Sequence, residues 1–173
     1  FAAQIKNKKT QILRKELFTK GSKEKLKIIF YDENLKIGFF KAHPNLFPKE
    51  IENLLIYDAV VIEGTGLGHM AVNEVDKNTS INKDNLKEIR KLSKKTKIIM
   101  GVQTIYGQTN MDVYSTGRYI QETGVFGNHM NLTTETLFIR TAHCLSQKEK
   151  SFDDSWNENL EGFKIKNIDI SDE

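Results

Sequence analysis

Two loops concentrate the residues that could do chemistry. The first reads E-G-T-G-L-G-H-M, Glu63 to Met70, directly after the apolar run Asp58–Glu63. Its alternating glycines Gly64, Gly66 and Gly68 allow a sharp turn and a close approach to a ligand. The spacing is G-x-G-x-G rather than the dinucleotide G-x-G-x-x-G, and no helix obviously opens after it, so it is a weak nucleotide signal. A tight crossover explains the same glycines. Glu63, at a strand end, could act as an acid or base, or cap a neighbouring group. The second loop, Gln103 to Arg118, reads Q-T-I-Y-G-Q-T-N-M-D-V-Y-S-T-G-R. It is rich in neutral hydrogen-bonding side chains, Tyr106 and Asn110 among them, which suits orienting a small polar ligand or forming an interface. Arg118 could grip a carboxylate bidentately, or serve as a structural ion pair.

Both loops leave buried strands. Asp58–Glu63 (D-A-V-V-I-E) and Lys97–Val102 (K-I-I-M-G-V) are short apolar runs of the kind that parallel strands make when covered on both faces. Upstream, Leu26–Tyr31 and Leu35–Ala42 read as two further strands about the turn-prone Asp32-Glu33-Asn34. Pro44 and Pro48 bracket a bend, and Pro48 suits the first turn of a helix reaching Ile56. Leu86, Ile89 and Leu92 place the apolar face of a helix over Asn82–Lys95. A helix over Thr116–Glu122 stops at Gly124, Val125-Phe126 begins another strand, and Thr133 opens a helix through Leu145. Phe152–Leu160 reads as a last helix, and a short one is expected near Thr10–Thr19. Alternating strands and helices of this length predict an α/β fold, a mainly parallel sheet with helices on both faces. In such sheets ligands gather beyond the carboxyl ends of the strands, where both loops lie.

Composition narrows the class. With 173 residues, 38% hydrophobic and 28% charged, the chain is the size of one ordinary globular domain. No apolar run approaches the roughly 20 residues of a membrane helix. The lone Cys144 cannot form an internal disulfide, so a reducing, cytoplasmic setting is expected. No pair among the four histidines has metal-ligand spacing on one helix, and with one cysteine no metal site is expected. The net charge of +3 conceals a basic head: residues 1–27 hold nine Lys and Arg against Glu16 and Glu24, whereas residues 149–173 are acidic. A basic head could touch RNA, but a solvated linker against another domain is the simpler account. The chain opens on Phe1 with no signal-peptide pattern and reads as an excised piece: residues 1–25 linker, 26–163 domain, 164–173 acidic tail.

Taken together, V-V-I-E followed by G-T-G-L-G-H, and then I-Y-G-x-x-N-M-x-V-Y-S-T-G-R, resemble the archaeal D-type subunits of glutamyl-tRNA(Gln) amidotransferases, a family within the L-asparaginase superfamily. Gly124-Val125-Phe126-Gly127, Met130, Thr133-Thr134-Glu135 and the closing W-N-E-N-L-E-G, Trp156–Gly162, extend the likeness over Leu35 to Gly162. Asn128-His129 departs from it where that family often has an acid. The resemblance implies a three-layer αβα, flavodoxin-like C-terminal domain. It also implies a catalytic domain upstream bearing two threonines, an aspartate and a lysine, so no residue here is assigned as catalytic and the fragment alone is expected to be inactive. By position in the motifs, His69 and Tyr114 fall where the superfamily lends residues to the neighbouring subunit's active site. Gly64, Thr65, Gly66, Gly68, Tyr106, Asn110 and Arg118 are then loop or interface residues. The implied partners are a second copy in a homodimer, the E-type amidotransferase subunit, and tRNA(Gln) through that E-type partner. No cofactor is implied here, ATP and Mg being expected only at the partner subunit. Two rival readings stand: the C-terminal domain of a cytoplasmic L-asparaginase, and a non-catalytic flavodoxin-like binding module.

Overall fold

The computed structural model describes residues 3–13, 15, 25 and 28–158. Its centre is a parallel sheet in the order β3-β4-β5, formed by β3 (Ile37–Lys41), β4 (Ala59–Gly64) and β5 (Lys97–Val102). Strand β4 is central and almost wholly buried, which explains its unbroken apolar run. Alternate residues face opposite layers, as the pleat requires. Val60, Ile62, Ile98 and Met100 belong to one core with Ile51, Leu54, Ile89, Leu92 and Ile120. Those partners come from α1 (Pro48–Glu52) and the 3₁₀ turn after it, from α2 (Asn82–Leu92) and from α3 (Ser115–Gln121). Ala59, Val61 and Ile99 belong to a second core with Leu137, Cys144, Phe152 and Trp156, from α4 (Thr134–Ser146) and α5 (Phe152–Asn157). The result is the expected three-layer αβα arrangement, and burying each large side chain contributes about 1.5–3 kcal/mol.

Local chemistry sets the element ends. Pro48 occupies the first turn of α1, and the Thr133 and Ser151 hydroxyls accept the Thr136 and Asp154 amides to cap α4 and α5. Gly124, just beyond α3, takes φ +89°, a value open to glycine at little cost. Arg140, buried on α4, lies 4.8 Å over the Trp156 ring and donates to the Trp156 carbonyl, fastening α5 to α4.

Several sequence expectations are corrected. Residues 10–12 of the anticipated Thr10–Thr19 helix are strand instead. β1 (Ala3–Lys6) and β2 (Lys9–Ile12) form a separate antiparallel hairpin whose turn residues Asn7 and Lys8 both have positive φ; residues 16–19 lie outside the described set. Of the anticipated strand Leu26–Tyr31, residues 28–31 are irregular and residues 26 and 27 lie outside the described set. Phe126 contributes only a single parallel bridge to Ile99, not a full strand. Helix α2 turns Asn85, Ile89 and Leu92 inward, leaving Leu86 half-buried at the margin of the core. The last helix ends at Asn157, and residues 159–173 lie outside the described set. Among the described residues no helix is long and apolar enough to cross a membrane.

Candidate functional site

At the carboxyl edge of the sheet the ends of the strands are stitched by one side chain. Gln103 Nε2 donates to the carbonyls of Ala42 (2.6 Å) and Glu63 (2.9 Å), joining the ends of β3, β4 and β5. From there the first glycine loop folds back on itself. The Thr65 amide donates to the His69 carbonyl at 2.8 Å and the His69 amide to Thr65 at 3.0 Å. The Thr65 hydroxyl donates to the same His69 carbonyl at 3.2 Å. A Cβ at Gly64 would sit 2.8 Å from the Gly68 backbone, and one at Gly68, where φ is +99°, would sit 2.6 Å from the Thr109 side chain. These two glycines therefore close the loop and let the second loop lie against it. Gly66, also at positive φ, is exposed with open space around it. Of the two readings of the glycines, the geometry is that of a tight crossover.

The two loops meet directly. The Asn110 amide donates to the Leu67 carbonyl at 2.9 Å, and the His69 and Tyr114 rings stand edge to face with centroids 5.2 Å apart. Sequence reasoning named these two residues from separate loops; the fold brings them into contact. Burial pushes the His69 imidazole below its ordinary pKa, partly opposed by a hydrogen bond with the Thr65 backbone. Burial thus favours the neutral ring at pH 7, and Nε2 is buried with no hydrogen-bond partner among the described residues. Tyr114 is exposed, at 58%. A neutral imidazole beside an exposed phenol can orient a small polar group.

The other predicted residues divide. Arg118 reaches no carboxylate among the described residues: Nη1 donates to the carbonyls of Asp112 (2.7 Å) and Val113 (3.3 Å), bracing the loop just before Tyr114. Tyr106 is exposed and lines a different concavity, a groove of about 500 Å³ with Glu63, Val102, Thr134 and Glu135. Glu63 there accepts the Thr134 hydroxyl at 2.6 Å, the capping role. His43 pairs with Glu50 at 3.1 Å, and His143 with Gln147 at 2.9 Å. Among the described residues no three His, Cys, Asp or Glu side chains converge as metal ligands.

Two features escaped the sequence. Asn85 is fully buried and donates to the carbonyls of Leu46 (3.1 Å) and Ala71 (2.9 Å), tying α2 to the end of the His69 loop. Its signal was available, since it lies four residues before Ile89 on the inner face of α2. The second is a cluster around Asp112. That carboxylate accepts from Gln121 (2.8 Å) and Asn128 (3.1 Å) and pairs with His129 Nε2 at 2.7 Å. Those hydrogen bonds, Gln121 first, hold its carboxyl below the usual range. Nothing in the spacing of these residues announces it.

This architecture is shared. Residues 36–154 match the model of the glutaminase/asparaginase C-terminal domain. The chain belongs to that family. Over 147 residues it is 31% identical to the D-type glutamyl-tRNA(Gln) amidotransferase subunit of Methanobrevibacter smithii, covering 84% of this chain and 31% of that protein. It is 32% identical to the corresponding D-type subunit of Thermoplasma volcanium, covering 84% of this chain and 33% of that one. The chain thus spans about a third of the length of the curated relatives it matches. The thermostable L-asparaginase of Thermococcus kodakarensis superposes with a TM-score of 0.69 at 19% identity, over 96% of this chain and 48% of that one. At that identity the likeness is one of fold. The family match falls on the sheet, both loops and α4, while the hairpin at residues 3–12 lies outside it.

Proposed function

We propose that this glutaminase/asparaginase C-terminal domain serves the ammonia-releasing subunit of a Glu-tRNA(Gln) amidotransferase, and that it presents His69 and Tyr114 to a catalytic domain on a second copy. The observation that supports this reading is the edge-to-face contact of His69 with the exposed Tyr114 ring. A nucleophilic amidohydrolase needs an activated hydroxyl, a base and an oxyanion site, and in the two loops the Thr65 and Thr109 hydroxyls are both turned to backbone carbonyls. Thr65 donates to a backbone carbonyl and Thr134 to a structural carboxylate, while the Thr109 hydroxyl donates to the Met130 carbonyl at 2.8 Å. The domain's part is therefore to orient the substrate, with the covalent step carried out elsewhere. To reach the substrate His69 must turn its buried Nε2 outward; it then exchanges one hydrogen bond with a polar group of the amide substrate, and the Tyr114 hydroxyl contributes a second. The E-type amidotransferase subunit and tRNA(Gln) enter as partners of the whole enzyme, working in the cytoplasm, and ATP and Mg belong to that E-type partner.

In the parent enzyme, His69→Ala and Tyr114→Phe should each lower kcat/KM for glutamine roughly ten- to 150-fold, the loss of one hydrogen bond to a charged group, about 1.5–3 kcal/mol. Folding should be unaffected. Wild-type kinetics in both variants would refute the assignment. The isolated 173-residue chain should release no ammonia from glutamine or asparagine above a buffer blank, and a mutation-sensitive release would overturn the division of labour.

A further inference from the structure

Tyr114 is exposed and caps a short helix, so its place beside His69 is set by the loop that carries it rather than by its own burial. That loop is gripped by one carboxamide. Asn128 Oδ1 accepts the amides of Met111 (2.8 Å) and His129 (3.1 Å). Its Nδ2 donates to both oxygens of Asp112 (3.1 Å each) and to Gln121 Oε1 (2.9 Å). Backbone amides can only donate, so they fix which end of the amide is oxygen; the nitrogen end then faces only acceptors. Among the side chains, only an amide offers an acceptor and two donors at this reach.

The residues it joins come from three elements. Met111 and Asp112 precede Tyr114, Gln121 is on α3, and Asn128 itself sits in a turn where Gly127 and His129 both take positive φ. That turn runs alongside the second loop through Thr109: its amide donates to the Met130 carbonyl at 2.9 Å, and its carbonyl accepts the His129 amide at 3.0 Å. We propose that Asn128 is a positioning residue that holds the Met111–Tyr114 segment so that the Tyr114 ring meets His69. Its bearing on catalysis rests on the reading of those two rings as substrate contacts; the ring contact itself does not.

The sharpest test replaces the amide by its near-isostere. In Asn128→Asp a carboxylate faces the Asp112 carboxylate about 3 Å away, and two like charges at that distance do not both stay ionised without moving apart. Among the described residues the ionisable groups nearby are Asp112, His129 against it, and Arg118 on its carbonyl. In the 173-residue chain at pH 7, the His69–Tyr114 ring contact read by NMR should be lost, and exchange of the Met111 and His129 amides should rise roughly ten-fold, the loss of about one hydrogen bond. Lowering the pH to about 4, where one of the two carboxyls takes a proton and can again donate, should bring the contact back to the level the wild type shows at that pH, where His69 is itself protonated. Asn128→Ala should lose it at every pH. A folded Asn128→Asp chain that keeps the contact and the wild-type exchange at pH 7 overturns the proposal, as does a contact that in acid stays weaker than that of the wild type at the same pH. If Asn128→Asp does not fold at neutral pH, Gln121→Ala decides: a weakened ring contact supports the proposal and an unchanged one overturns it. No substrate is present in these measurements, so failure of the functional reading would be seen separately, in kcat/KM.

Discussion

Gly117, the glycine of S-T-G-R, lies inside α3, where replacement by alanine ordinarily stabilises a helix by up to about 1 kcal/mol. Here the sign should reverse. A Cβ built on Gly117 would stand 2.3 Å from the Met111 carbonyl oxygen and 2.8 Å from its carbon and Cα, all backbone atoms. Met111 cannot easily yield: its side chain is fully buried and its amide is held by Asn128. Relieving the clash needs a displacement of about 1 Å between α3 and the loop, and overpacking of that kind costs about 1–3 kcal/mol. Offset by the gain in helix propensity, Gly117→Ala should destabilise the chain by up to about 2 kcal/mol. Urea unfolding is the assay: the midpoint should fall with the slope unchanged, and the thermal midpoint should drop by roughly 4–8 °C at the upper end of that range. The displaced segment ends at Tyr114, so the ring contact with His69 should weaken in the folded variant. A variant as stable as the wild type, or more so, would show that the close approach of α3 to Met111 does not exist.

Two more expectations follow from the same geometry. His69 titrates below its ordinary pKa because of burial, so below about pH 6.5 the unfolded chain binds a proton that the folded chain resists; stability is full above that pH and falls as the pH drops through the window beneath it. NMR titration of the ring checks this, and a midpoint at or above about 6.5 would contradict it; His69→Phe should remove this part of the pH dependence. Arg140→Met should cost about 1.5–3 kcal/mol by removing a charged donor from the Trp156 carbonyl, and it should raise hydrogen exchange throughout Phe152–Asn157. Arg140→Lys should not restore the wild type, because an ammonium cannot stack on the indole as a planar guanidinium does.

What could be read from residues alone follows from how local the signal is. Strands β4 and β5 were legible because burial on both faces forces an unbroken apolar run, and α2 and α4 because one stripe must face the sheet. The hairpin at residues 3–12 was not, since A-Q-I-K and K-T-Q-I carry little apolar alternation and the Asn7-Lys8 turn lacks the usual glycine. His69 and Tyr114 were found through motif resemblance; their contact is a consequence of topology that spacing does not encode. The Asp112–Asn128 hydrogen bonds span sixteen residues and depend on the turn at His129, which has no single-residue signature. Arg118 was read as a partner for a carboxylate, in a ligand or in an ion pair, but the partners it found are carbonyls of its own loop.

The central claim, that this domain completes an active site belonging to another copy, is tested most directly by mixing two defective parent enzymes. One carries an inactivated catalytic threonine with His69 and Tyr114 intact; the other carries a working threonine with His69→Ala and Tyr114→Phe. Random reassortment makes about half of the dimers mixed, and in each of these one of the two sites unites a sound catalytic domain with a sound pair of loops. Ammonia release from glutamine should therefore recover to about a quarter of the wild-type rate after mixing, from near zero in either parent alone. If the mixture stays as inactive as its components although exchange of subunits is demonstrated, His69 and Tyr114 do not act across the dimer and the account is wrong.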